Sequence, residues 1–184
     1  QKLTTSALDE LEKEDKKAEL IIWSEGVLLN PFEISYSHYK KYPFESPLIP
    51  FIKKCNTPFI IGGSTKKTFQ YKDFSYNKYY NSALVFDKNG DYRGSYAKLH
   101  LVPFAEIIPF ADNPIVKEFI QEYLNFSAGW TKGEYLTLFN IPCSWYNSPY
   151  DSEVKVFDLS LNEKIDKDLQ ETPKVKVATP ICFD

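Results

Sequence analysis

Three segments of the chain each place a reactive side chain just after an apolar run. Leu20-Ile21-Ile22-Trp23-Ser24-Glu25 runs into a carboxylate, and Tyr96-Ala97-Lys98 into an ammonium followed by a second carboxylate at Glu106. Ala178-Thr179-Pro180-Ile181-Cys182 runs into a thiol. A thiol with an ordinary pKa of about 8.5 is mostly protonated at neutral pH. A carboxylate within reach can take that proton, and an ammonium can stabilise the thiolate and then the oxyanion of a tetrahedral adduct. Together these residue types suit nucleophilic acyl chemistry. Singly, each has an ordinary reading as a solvated turn glutamate, a polar strand-edge lysine or a core cysteine.

The elements that would position them read as follows. Residues 6–18 are rich in helix formers with Ser6 as the cap, and residues 19–23 turn continuously apolar, as a buried strand does. Ser46-Pro47 starts a short helix running toward Cys55, and residues 58–63 read as a second buried strand. Residues 82–87, Lys88-Asn89-Gly90 and residues 91–98 form a hairpin signature, with Asn-Gly supplying positive φ angles. Asn113-Pro114 caps a helix whose apolar residues Ile115, Val116, Phe119, Ile120, Tyr123 and Leu124 lie on one face. Residues 135–141, 153–159 and 174–182 read as strands, with a polar excursion over 142–173. Strands alternating with helices, with hairpins mixed in, predict an α/β layered domain in which strand ends expose the reactive groups.

Composition narrows the partners. The 184 residues suffice for one domain with a real core, taken as residues 1–184 throughout. A net charge of −3 gives no basic field to hold nucleic acid. No apolar run approaches the roughly 18–20 residues of a membrane span. The opening Gln1-Lys2-Leu3-Thr4 is too polar for a signal peptide, and the absence of Met makes an excised piece of a longer protein the expectation. Cys55, Cys143 and Cys182 are an odd set without a CxxC pair, which argues against a disulfide framework or a zinc knuckle. His38, His100 and the cysteines have no metal-ligand spacing, and a GxSxG elbow is absent.

Glu25, Lys98 and Cys182, in this order, resemble the triad of the nitrilase (carbon–nitrogen hydrolase) superfamily. Within it, Tyr96-x-Lys98-x-His100-Leu101-Val102-Pro103-Phe104-x-Glu106 closely resembles the lysine segment of apolipoprotein N-acyltransferases, with Ala105 in place of the common Gly. Tyr80-Asn81-Ser82-Ala83 is typical of the same branch. Ile22-Trp23-Ser24-Glu25 is similar to the superfamily's Trp-Pro-Glu, with Ser24 for Pro, and Ile181-Cys182-Phe183-Asp184 is similar to Ile-Cys-Tyr-Glu.

The resemblance implies a nitrilase-like α-β-β-α sandwich, incomplete at the C-terminus because the chain stops two residues after Cys182. It also implies an enzyme that moves an acyl chain from a phospholipid donor to the N-terminal amine of a diacylglyceryl-cysteine lipoprotein, with no metal or cofactor. The expected place is the bacterial inner membrane, with the catalytic domain on the periplasmic side and facing the membrane surface. Carried over residue by residue, Cys182 is the nucleophile, Glu25 the general base, Lys98 the oxyanion support and Glu106 a supporting residue. Ile107, Ile108, Phe110 and Phe183 are expected to contact substrate, and the tyrosine-rich residues 36–44 fit either a surface helix or a membrane interface. Taken alone, the polypeptide is expected to be inactive. Two other readings stay open: a soluble nitrilase-family amidase, favoured by Asp184, and a truncated, catalytically silent domain, favoured by Phe183 and the short C-terminus.

Overall fold

The computed structural model describes residues 1–28, 30–107, 129–141, 155–159 and 175–177. Its spine is a ribbon of two long antiparallel strands, β2 (Phe59–Tyr71) and β3 (Phe74–Phe86), paired residue for residue from Phe59↔Phe86 to Tyr71↔Phe74. Strand β1 (Ile21–Leu28) joins β2 in parallel and β4 (Tyr92–Ala97) joins β3 antiparallel, giving the order β1-β2-β3-β4. A second sheet has the order β6-β5-β7, built from β5 (Leu136–Ile141), β6 (Lys155–Leu159) and β7 (Val175–Val177).

Successive side chains of a strand point to opposite faces, and the inner ribbon is apolar on both. On one face Phe59, Ile61, Leu84 and Phe86 pack with Phe32, Leu48, Ile49 and Ile52. The last four come from helices α2 (Phe32–Lys41) and α3 (Leu48–Cys55). On the other face Ile60, Ala83, Val85 and Tyr96 meet Phe139 and Ile141 of β5. The order helix, sheet, sheet supplies three layers of the expected α-β-β-α sandwich. The helix expected at residues 115–124 lies outside the described residues.

Several local expectations change. Helix α1 spans Lys2–Lys13, so Ser6 is an interior residue and not the cap; Gln1 takes the cap position without a side-chain bond. The strand expected at 19–23 begins at Ile21 and continues to Leu28. It is not buried: β2 is its sole partner among the described strands, and Ile22 faces solvent. In the β3–β4 loop only Gly90 takes the left-handed conformation, with φ of 75°. Asn89 does not need it, because the Asp87 carboxylate accepts the backbone N–H of Asn89 (2.8 Å) and of Asp91 (3.0 Å). That makes a three-residue loop instead of the two-residue Asn-Gly turn. The strand expected over 58–63 runs on to Tyr71 and turns back at Lys72-Asp73, where Lys72 has a φ of 51°. Residues 36–41 lie in the surface helix α2, tied to the start of β4 by Tyr36 and Lys40, which both donate to Asp91.

Candidate active site

Lys98 follows the last residue of β4 and continues that strand's pairing, since its N–H donates to the Asn81 carbonyl (2.9 Å). A strap of residues 129–133 closes over this end of the sheet. Gly133 N donates to the Lys98 carbonyl (2.8 Å), Thr131 N to the Tyr79 carbonyl (2.7 Å) and Trp130 N to the Glu106 carbonyl (2.9 Å). Both strap glycines sit where a Cβ would collide with backbone, Gly129 with the Glu106 carbonyl and Gly133 with that of Ala97. The result is a lysine whose side chain is 1% exposed. A buried ammonium needs a paired anion and hydrogen-bond acceptors.

Glu106 meets that need. The loop after Lys98 folds back on itself: the Val102 carbonyl accepts from Glu106 N (2.9 Å), and Phe104 N donates to the Ile107 carbonyl (2.7 Å). This turn puts the Glu106 carboxylate back over its own start, where Oε2 accepts from Lys98 Nζ (2.8 Å) and from Val102 N (2.8 Å). Burial pushes the Glu106 pKa up, but the hydrogen bonds from Lys98, Val102 and Asn81 and the Lys98 charge outweigh it. The net effect holds the carboxyl below its ordinary value. The turn also leaves Phe104 in the left-handed region, φ 64°, with its ring in solvent.

Asn81 extends the set to Glu25. Its side-chain amide donates to Glu106 Oε1 (3.0 Å) and to Glu25 Oε1 (2.6 Å). One buried amide thus holds two carboxylates as acceptors, and a continuous path runs from buried Lys98 through Glu106 and Asn81 to exposed Glu25. Glu25 reaches this point because β1 is irregular. Trp23 pairs with Ile61 and Leu28 with Gly63, so four β1 residues bulge opposite one β2 residue. That residue is Gly62, where a Cβ would lie 2.5 Å from Glu25 Cα, and Gly26 within the bulge has a φ of 72°. Both glycines are needed for the bulge to turn Glu25 onto the sheet end.

The structure therefore brings together Glu25, Lys98 and Glu106 of the residues singled out in the sequence. Ile107 is exposed beside them. Cys182, Ile108, Phe110 and Phe183 lie outside the described residues, as does Cys143. Cys55 ends α3 half-buried, and burial pushes its thiol pKa up, which disfavours it as a nucleophile. Asn81 and Gly62 were missed as site residues. An amide polar group in the apolar stretch Tyr80–Phe86, and a Gly pair in the apolar stretch Phe59–Gly63, were the available signals.

The carbon-nitrogen hydrolase family model matches residues 3–184. A Treponema denticola protein named apolipoprotein N-acyltransferase 2 is 37% identical over 92% of this chain, which covers 26% of that protein. A Borreliella burgdorferi apolipoprotein N-acyltransferase is 37% identical over 58% of this chain and 20% of its own length. The chain thus spans about a quarter or less of these relatives. A solved N-terminal amidase with an Asn-Glu-Ala peptide aligns with a TM-score of 0.39 at 18% identity, over 86% of this chain and 34% of that one. With the family model spanning nearly every residue and the glutamate and lysine segments converging in space, the chain belongs to the carbon–nitrogen hydrolase family.

Proposed function

We propose that residues 1–184 form a catalytic domain that moves a fatty acyl chain from phospholipid to the α-amino group of a diacylglyceryl-cysteine lipoprotein, at the periplasmic side of a bacterial inner membrane. The observation that carries this reading is the Glu25–Asn81–Glu106–Lys98 path, in a chain 37% identical to a named apolipoprotein N-acyltransferase.

In the first half-reaction Glu25 takes the Cys182 thiol proton as the sulfur attacks the phospholipid ester carbonyl. Lys98 donates to the tetrahedral oxyanion, and Glu106 fixes the ammonium so that no reorganisation is needed as charge develops. Collapse breaks the ester C–O bond, the departing glycerol oxygen takes the proton from Glu25, and the acyl group stays on sulfur as a thioester. In the second half-reaction the lipoprotein amine attacks the thioester carbonyl and loses its proton to Glu25. The thiolate leaves and is reprotonated. In this reading Ile107, Ile108, Phe110 and Phe183 seat the acyl chain. None of these steps calls for a metal or a redox cofactor.

The test is lysophospholipid release coupled to a mass gain on a diacylglyceryl-cysteine peptide, measured in phospholipid–detergent micelles with the gene product that carries residues 1–184. Cys182→Ala should abolish both signals, and Lys98→Met should lower kcat by about 10²–10³-fold. Turnover that survives Cys182→Ala, or release of ammonia from small amides without phospholipid consumption, would overturn the reading.

A further inference from the structure

In the outer half of the β2–β3 ribbon, residues 66–79, one face belongs to neither buried cluster of the described residues. Cross-strand pairing puts Lys67 opposite Lys78, Phe69 opposite Tyr76 and Tyr71 opposite Phe74. These pairs alternate with Lys66/Tyr79, Thr68/Asn77 and Gln70/Ser75, so strand alternation gathers four aromatic rings on one face and mostly polar groups on the other. The rings touch in pairs, Phe69 stacked on Tyr76 at 5.5 Å between centroids and Tyr71 tilted on Phe74 at 5.9 Å. At the tip Phe74 is 63% exposed and Tyr71 57%.

Two features point to what covers this face. Lys67 and Lys78 are like charges directly opposite each other, an arrangement that weakens a hairpin. With Lys66 and Lys72 they make four lysines against the single Asp73 in this segment, on a chain whose net charge is −3. Lys67, Lys72 and Lys78 each stand over a ring of the ribbon, 5.6 Å from the centroid of Tyr80, 5.5 Å from that of Tyr71 and 5.0 Å from that of Phe69, which holds the cations beside the exposed aromatic tip. An anionic surface with an apolar interior removes both costs: the rings enter the headgroup region and the lysines behind them meet phosphates.

We propose that the aromatic face of the 66–79 hairpin docks on an anionic phospholipid bilayer, tip first, with Phe69, Tyr71, Phe74 and Tyr76 in the interface and Lys67, Lys72 and Lys78 on the headgroups. It rests on the proposed acyltransferase reading only in taking lipid as the surface this domain meets.

The experiment is co-sedimentation of the 184-residue chain with vesicles of phosphatidylglycerol and phosphatidylcholine in equal parts, and with pure phosphatidylcholine, alongside amide hydrogen exchange. Binding is expected for the anionic vesicles, to fall with added salt, and to protect amides of residues 69–76. Replacing Lys67→Gln or Lys78→Gln should weaken it about fivefold each, and Tyr71→Ser with Phe74→Ser about tenfold or more. The lysine variants keep the proposal testable should the aromatic double variant fold poorly. Cys182→Ala should bind as the unaltered chain does, so failure of acyl transfer and failure of docking are read separately. The proposal is overturned if the chain ignores anionic vesicles, or if the hairpin variants bind undiminished. A chain that sediments as a dimer without lipid, and as a monomer once Tyr71 and Phe74 are replaced, would also overturn it, since the face would then be covered by a second copy.

Discussion

From Phe59 to Thr65 every residue of β2 is buried, and from Tyr80 to Phe86 so is every residue of β3, whereas the same two strands between Lys66 and Tyr79 contain no buried residue at all. The register does not change across that boundary. The hydrogen-bond ladder is common to both halves, so it cannot be what distinguishes them. The inner half is fixed by contacts on both faces, to helices on one side and to β5 on the other, and ends in the Glu25–Asn81–Glu106–Lys98 set. Between Lys66 and Tyr79 no side chain belongs to either buried cluster of the described residues. Changes to the inner half should therefore register in stability, and changes to the outer half in what the domain binds.

The largest expected effect is on the inner half. Glu106→Gln leaves the buried Lys98 ammonium without its anion, and breaking a buried ion pair from one side costs about 3–5 kcal/mol. Urea unfolding should show that loss in the midpoint. Acid should act on the same group more gradually. Because the folded Glu106 pKa lies below its ordinary value of 4.5, the stabilisation is fully present above 4.5 and is lost as pH falls through the depressed value. Thermal melts from pH 6 downward should steepen in that window, and the Glu106→Gln protein should lack that limb.

Asn81→Ala removes one donor shared by two carboxylates. Loss of hydrogen bonds to charged acceptors predicts about 1.5–3 kcal/mol, together with an acid transition moved to higher pH, because Glu106 loses one of the bonds that holds its pKa down. An acid transition that stays in place would mean Asn81 only fills space. Gly62→Ala tests the bulge. Its Cβ would meet Glu25 backbone, and overpacking of this kind costs about 1–3 kcal/mol. The specific expectation is that Glu25 is displaced from Asn81, visible as loss of the proposed acyl transfer at a temperature where the variant remains folded.

How far these contrasts were legible in the sequence depends on which physics set each element. The inner strands, the short helix after Pro47 and the hairpin ending at Lys98 are written as apolar runs and turn residues, and all three are present near their expected places. The outer half of the ribbon was not read, because its turn at Lys72-Asp73 lacks the Asn-Gly or Gly-rich chemistry that marks hairpins. Its alternation of ring and polar residues also begins only after the apolar run that ends at Gly63. Glu25 and Lys98 were legible by their positions after apolar runs. Asn81 was not, since its role depends on two partners 56 and 25 residues away, a relation that only tertiary packing creates. The bulge at Gly62 is likewise a property of two strands meeting, and neither strand shows it alone.

The smallest stability effect belongs to the tip. Phe74→Ser removes one ring from a solvent-exposed pair with Tyr71, and cross-strand pairs of this kind contribute about 0.2–1 kcal/mol. Since 63% of Phe74 already faces solvent, little apolar area is lost from the folded state, and the urea midpoint should move by less than for any variant above. A large loss instead would mean that Phe74 is held by residues of this chain packed over it, and the contrast between the two halves of the ribbon would disappear. If the midpoint holds while anionic vesicle binding weakens, the two ends of one ladder are separable: one can be altered for binding without disturbing the carboxylate–lysine set at the other.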